Sequence, residues 1–386
     1  MKQLRIGIIG LGNMGSAHYR TLQSIPEVKV TALCDIAPAA LKKFPELPET
    51  AKFTDSESFL HQAEIDAVII ATPHFFHHTL GISALQHNKH LLVEKPIAVH
   101  KAHAQLLLNA IHDHPELKVS AMFNQRTIPL HRKLKELIEH GELGRIQRIC
   151  WTITDWFRSQ YYYDSGDWRA TWRGEGGGVL TNQCPHQLDL LQWFFGMPER
   201  ITAHAAFGKY HNIEVEDEVT AFLEYADGMT GVFIASTAEA PGSNRLEINA
   251  DRGKVIFEKD SISFYRTVES VREYCRQSKQ RFLPPECWNV EIPCSTDKAG
   301  QHRNILVNFV ESVLKDVPLL APAEEGIRGL EIGNAMLLSS WKKRTVSLPL
   351  DADEYESEIN TRIASSCYQK ETPTTKSDDS EFSKSF

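Results

Sequence analysis

The chain has no hydrophobic run approaching the roughly 20 residues that cross a bilayer, which excludes a membrane-spanning helix. Its first residues, Met1-Lys2-Gln3-Leu4-Arg5, precede a short, glycine-broken apolar stretch without a small-residue cleavage site or paired arginines. No export signal is therefore expected, and the expected location is cytoplasmic. A basic excess is also missing: 42 Lys and Arg stand against 50 Asp and Glu, a net charge of −8. Nine acids and four bases lie from Asp351 onward, so the first 350 residues carry only −3. A near-neutral body offers no electrostatic footprint for nucleic acid. Cysteine is scarce, with seven widely spaced residues and no Cys-x-x-Cys pair. That odd, scattered set predicts free thiols in a reducing compartment rather than a disulfide framework. There is no internal repeat. Histidine alone is abundant, at 17 with nine between His74 and His114, but no His-Glu-x-x-His or Cys/His zinc spacing occurs among them. No metal site is expected on those spacings, including at His74, His77 and His78.

What is present is an ordinary globular composition, 42% hydrophobic and 24% charged, over 386 residues. At about 150 residues per domain this length predicts two or three domains. Continuous apolar runs at Leu4–Ile9, Val28–Cys34, Ala67–Thr72, His90–Val93 and Val119–Phe123 read as buried strands. Amphipathic stretches at Asn13–Ser24, Phe76–Gln86 and Lys101–Ile111 read as helices between them. Fully apolar strands alternating with helices imply an α/β Rossmann domain, a doubly wound parallel sheet, over residues 1–124. The rhythm then changes. Alternating residues Val219, Ala221, Leu223 and Tyr225 run to Asp227-Gly228, and Leu246, Ile248 and Ala250 run to Asp251-Arg252-Gly253. Such hairpin signals predict an α+β domain with a large, mostly antiparallel open sheet over residues 125–350, its helices including Asn304–Lys315 and Ala323–Trp341. Residues 351–386 read as an acidic polar C-terminal tail, solvated and disordered in its last fifteen or so positions.

Gly10-Leu11-Gly12-Asn13-Met14-Gly15 follows the first strand and opens the first helix. Gly10 allows the tight turn, Gly12 lets the backbone approach a pyrophosphate, and Gly15 permits close helix–strand packing. Exposed N–H groups at the helix start, including those of Asn13 and Met14, suit an anion. Asp35 ends the second strand twenty residues on, where a carboxylate accepts from the adenosine ribose hydroxyls and repels a 2′-phosphate. No arginine follows within five residues, so NAD is expected over NADP.

Glu94-Lys95-Pro96, taken with that glycine motif, with Ala71-Thr72-Pro73 and His77, and with Gly176-Gly177-Gly178 leading to His186, resembles the Gfo/Idh/MocA oxidoreductases. The resemblance extends over roughly residues 1 to 350. It implies NAD(P)-dependent oxidation or reduction of a hydroxyl on a sugar, cyclitol or related polyol, and a sheet face that forms homodimer or homotetramer contacts. It also implies that Glu94, Lys95, Thr72, Pro73, His77 and Asn124 border the cofactor, and that His186 is the active-site histidine.

Read on its own, Lys95 sits at the carboxyl end of a parallel strand, where open α/β sheets bind ligands, and a desolvated lysine there would have a lowered pKa suited to proton transfer. A cis Lys95–Pro96 bond is expected. If helical, Asn182, His186 and Asp189 fall on one face, although Pro185 disturbs the start. Many relatives carry aspartate where this chain has Asn182, which makes Lys95 rather than an Asp–His relay the expected proton acceptor, with Asn182 positioning substrate. Asp189 either supports His186 or pairs elsewhere. Asp155-Trp156-Phe157-Arg158 and Asp167 to Arg173 are rich in Trp and Arg, and of these Trp168 and Arg169 are the expected substrate contacts. Gln125 and Arg126 lie near the domain junction, and Cys184 reads as packing. The expected function is oxidation of a secondary ring hydroxyl to a ketone. The rivals are a redox-neutral NAD-dependent glycosidase on the same fold and a non-catalytic NAD or sugar sensor.

Overall fold

The computed structural model describes residues 3–367 apart from positions 167, 296 and 298. Strands β1 (Leu4–Ile9), β2 (Val28–Cys34), β3 (Lys52–Phe53), β4 (Ala67–Ile70), β5 (His90–Val93) and β6 (Val119–Ala121) form a parallel sheet in the order β3-β2-β1-β4-β5-β6. Every residue of β4 is buried, as is all of β5 beyond His90, because helices cover both faces of a parallel sheet. The strand order reverses between β1 and β4, which leaves a crevice at their carboxyl ends. There the Gly10 amide donates to the Cys34 carbonyl and the Ala71 amide to that of Ile9, at 2.9 and 2.8 Å. The two-residue β3 is too short for a periodic pattern and carries no signal in the sequence.

The second sheet has nine strands: β7 (Ile146–Ile153), β8 (Arg200–Phe207), β9 (Glu216–Glu224), β10 (Thr230–Ser236), β11 (Asn244–Ala250), β12 (Gly253–Glu258), β13 (Ser261–Thr267), β14 (Cys287–Glu291) and β15 (Val346–Ser347). Their order is β14-β13-β12-β11-β7-β10-β9-β8-β15, with β7 and β10 the one parallel pair. Both Asp-Gly-type turns close hairpins as expected. Tyr225 and Met229 bond across Gly228, whose φ of +86° favours glycine, and Ala250 pairs with Gly253. One face packs on the helices Pro185–Phe195 and Gly326–Lys342. The other leaves Phe222 and Tyr265 exposed.

The acidic segment after residue 350 is folded in its first half, which corrects the expectation of a solvated tail. Ala352–Ser365 is a helix capped by Asp351, with Tyr355 and Ile359 fully buried in the second core. The last fifteen positions lie outside the described residues. All seven cysteines are free, and no helix among the described residues is long and apolar enough to cross a membrane.

Candidate active site

The glycine turn fits a dinucleotide. Gly10 has φ +91° and a side-chain carbon there would lie 2.6 Å from the Ala71 carbonyl oxygen, so only glycine closes this turn. At Gly12 a side-chain carbon would meet nothing within 4 Å, so the backbone faces open space at the start of the helix Asn13–Leu22. No side chain caps that helix, which leaves first-turn amides to an outside anion. Asp35 reaches across, accepting from the Leu11 and Ala37 amides at 2.8 Å each, and remains partly exposed. Thr72 carries a buried hydroxyl without a partner at the same rim, and Pro73 is exposed beside it. His77 is fully buried, its ring between the Pro96 and Thr72 carbonyls at 2.7 and 2.8 Å, so it positions this rim. Asn124 is buried and donates to Gln301 at 3.0 Å while its own oxygen lacks a partner.

Lys95 lies two residues past the end of β5, after Glu94, and the Lys95–Pro96 peptide is cis as expected. Its ammonium donates to the Asn182 backbone carbonyl at 3.1 Å, which joins the two domains at one atom pair. Desolvation lowers its pKa, and the Arg169 and Arg158 charges lower it further, against the pull of Glu94 and Glu175. Glu94 is buried. It accepts from His18 at 2.7 Å and from the Lys95 amide at 3.1 Å. Burial pushes the Glu94 carboxyl up, but the His18 bond and nearby cations together bring it down to about 2.

His186 is buried, and desolvation, then the Lys95 and His302 charges, hold it neutral, well below the usual histidine value. Its Nδ1 has no partner. The expectation that Asn182, His186 and Asp189 share one helical face is corrected. Val179–Gln183 is a single π-helical turn, the helical run is interrupted at Cys184, and the α-helix starts at Pro185. Asp189 turns away to a buried ion pair with Arg126 at 2.5 and 2.8 Å, and Arg126 also bonds Glu325. The Arg126–Asp189 pair therefore fastens the domain junction and lends His186 no support. Cys184 is buried with its thiol pushed up by desolvation, which leaves it a packing residue.

The Asn182 amide donates to Glu175, a buried carboxylate that also accepts from the Ala170 amide at 2.6 Å. Tyr162 joins them: its hydroxyl accepts from Arg169 at 2.8 Å and lies 3.4 Å from the Asn182 and Gln183 amides. The guanidinium groups of Arg158 and Arg169 both lie within 5 Å of the Tyr162 ring centroid, at 4.9 and 4.7 Å, and Arg169 also covers Trp168. Trp168 meets His74 edge-on. Trp168 and Arg169 thus stand beside the lysine pocket, and with them stand Glu175 and Tyr162, which the sequence reading does not single out. Asp167 lies outside the described residues. Glu175 had a local signal, since it directly precedes the three glycines, but its partners come from elsewhere. The glycines themselves are held by Glu216 of β9, whose Oε1 accepts from the Gly178 and Leu180 amides at 2.9 and 3.0 Å.

Residues 4–122 match the oxidoreductase family described as having an NAD-binding Rossmann fold, and residues 131–256 match the GFO/IDH/MocA C-terminal domain. The uncharacterized oxidoreductase YrbE of Bacillus subtilis is 31% identical over 340 residues, 82% of this chain and 96% of that protein. Levoglucosan dehydrogenase of Pseudarthrobacter phenanthrenivorans is 27% identical over 295 residues, 67% of this chain and 74% of that enzyme. The WlbA dehydrogenase from Chromobacterium violaceum, solved with NADH and UDP-GlcNAcA, superposes with a TM-score of 0.77 at 26% identity, covering 91% of this chain and 97% of that one.

Proposed function

The chain belongs to the Gfo/Idh/MocA family of oxidoreductases, and from that premise we propose that it oxidises a secondary ring hydroxyl of a sugar, glycoside or cyclitol to a ketone. The observation that carries this reading is the Lys95 ammonium, desolvated beyond the end of β5 and aimed at the π-turn that holds Asn182, with His186 on the helix that follows. With a lowered pKa, Lys95 is available uncharged to accept the hydroxyl proton at Nζ. His186, held neutral, hydrogen-bonds the same hydroxyl and fixes its direction. Glu175 and Tyr162 hold the Asn182 amide so that it presents its remaining hydrogen-bonding capacity to a second hydroxyl. Trp168 offers an aromatic face to the ring. The glycine turn Gly10–Gly15, with the first-turn amides of the helix it opens, and Asp35 would hold NAD, which would supply the hydride acceptor for the carbon that bears the hydroxyl. Asp35 at the ribose end favours NAD over NADP, since a 2′-phosphate would meet its carboxylate.

Arg158 and Arg169 beside Lys95, balanced by Glu94 and Glu175, offer guanidinium groups to ring hydroxyls or to an acidic substituent. The relatives named for levoglucosan and solved with UDP-GlcNAcA mark two chemistries to try, an anhydrosugar and a sugar acid. The outer face of the second sheet, uncovered by helices and with Phe222 and Tyr265 exposed, supports a homodimer or homotetramer.

The test is reduction of NAD or NADP, followed by absorbance, over inositols, aldoses, glucosides, an anhydrosugar and uronic acids. NAD-dependent turnover of one ring polyol is the expected result. Release of a free sugar without net NADH would replace this reading with the redox-neutral glycosidase. NAD binding without turnover of any substrate would replace it with the sensor.

A further inference from the structure

We propose that His100, His103 and Glu356 form a binding site for one borderline transition-metal ion, zinc in the first place, which ties the C-terminal helix to the dinucleotide domain. The site shares no residue with the active site. His100 caps the helix Lys101–Asp113 and His103 lies one turn into it, while Glu356 arrives on the helix Ala352–Ser365 from the far end of the chain. One nitrogen from each histidine and one Glu356 oxygen all lie within 4.8 Å of one another.

The distances are those of ligands rather than of hydrogen bonds. Glu356 Oε1 stands 3.9 Å from Nε2 of both His100 and His103, too long for a hydrogen bond to either. Two ligands bound tetrahedrally at about 2.0–2.1 Å lie about 3.4 Å apart, so each carboxylate–imidazole pair closes with a shift of about half an ångström. His78 stacks on His103 with centroids 3.9 Å apart and 13° between planes, and the His100 and His103 centroids lie 3.8 Å apart, so these two rings must splay for their nitrogens to converge on one ion. Nδ1 of all three histidines is buried without a partner, and His100 is 1% exposed.

Two imidazoles with one carboxylate select zinc, cobalt, nickel or copper over magnesium and calcium, which demand oxygen. His103 and Glu356 remain partly exposed, which leaves the fourth position to water. An ion here would fix the helix that inserts Tyr355 and Ile359 into the second core against a helix of the first domain. The sequence hides the site because His100-x-x-His103 alone is half a motif and its third ligand is more than 250 residues away.

The experiment uses the full chain without a histidine tag, stripped with a chelator and titrated with Zn2+, with Mg2+ as control. Metal content and the visible spectrum of the Co2+ form are read alongside Tm. Expected are about one zinc per chain and a rise in Tm on the order of 3–6 °C that Mg2+ does not give. His103→Ala and Glu356→Gln, both at partly exposed positions, should each weaken zinc binding at least about 100-fold and abolish the Tm rise. NAD binding should be unchanged in both. Absence of stoichiometric uptake by the unaltered chain would overturn the proposal. So would uptake unchanged in both variants, which would put the ion elsewhere.

Discussion

At Gly12 an added side-chain carbon would meet nothing within 4 Å, whereas at Gly178 it would lie 2.0 Å from the backbone oxygen of Glu216. Both residues sit in glycine-rich turns that open helical segments, one in each domain. In the first turn no side chain caps the helix, and the amides face open space. In the second, Glu216 takes up the Gly178 and Leu180 amides and closes the turn from within. The first turn is therefore a cradle for an outside anion, and the second is a scaffold that sets where Asn182 and His186 stand. Two similar glycine patterns divide the labour of binding and of positioning.

The sharpest way to break the comparison is Gly178→Ala. The new methyl has backbone in its way, so stability should fall by about 3 kcal/mol, read as a drop in Tm on the order of 5–10 °C. Displacing Asn182 and His186 should also cost about 100-fold in kcat. Gly12→Ala should do the reverse. With no protein atom in its way, Tm should stay within about 1 °C while the KM for NAD rises about 10- to 100-fold, because the methyl occupies the space of the pyrophosphate. If both substitutions lowered Tm equally, the distinction between cradle and scaffold would be lost.

How much of this was legible in the sequence follows the same division. The cradle is local: strand, glycine turn, helix and Asp35 lie within 35 residues, and short-range pattern suffices. Glu94-Lys95-Pro96 was legible for the same reason. The scaffold is not local. Glu216 reaches Gly178 from 38 positions away through the strand pairing of β9, and no periodicity announces that contact. The π-turn at Val179–Gln183 breaks the helical register that would have aligned Asn182, His186 and Asp189, so Asp189 went to Arg126 instead. Glu175 was overlooked because a carboxylate before glycines reads as a loop residue until Ala170 and Asn182 are seen to bond it. In the C-terminal helix, Tyr355, Ile359 and Ile363 do recur at four-residue spacing, but the acidic composition around them outweighed that signal.

Smaller effects refine the scaffold. Burial raises the Glu216 carboxyl to about 7, so its ionisation is disfavoured in the fold relative to the unfolded chain. Its contribution to stability should therefore decline as pH rises from about 4.5 to about 7. Denaturant midpoints measured across that window should show a decline that Glu216→Gln flattens. The smallest expected change is at Glu175, whose charge raises the pKa of Lys95. Oxidation needs uncharged Lys95, so its rate climbs as pH passes the lysine's pKa. Removing the carboxylate in Glu175→Gln should move that climb to lower pH by about half a unit to one unit. A shift to higher pH would contradict the placement of Glu175 beside the lysine.

The most direct test of the central claim is a rate measurement on Lys95→Ala, once a substrate is in hand. The account predicts a loss of about 100- to 10,000-fold in kcat, with NAD still bound at the affinity of the unaltered chain. Turnover within about threefold of the unaltered chain would contradict it and remove Lys95 as the proton acceptor.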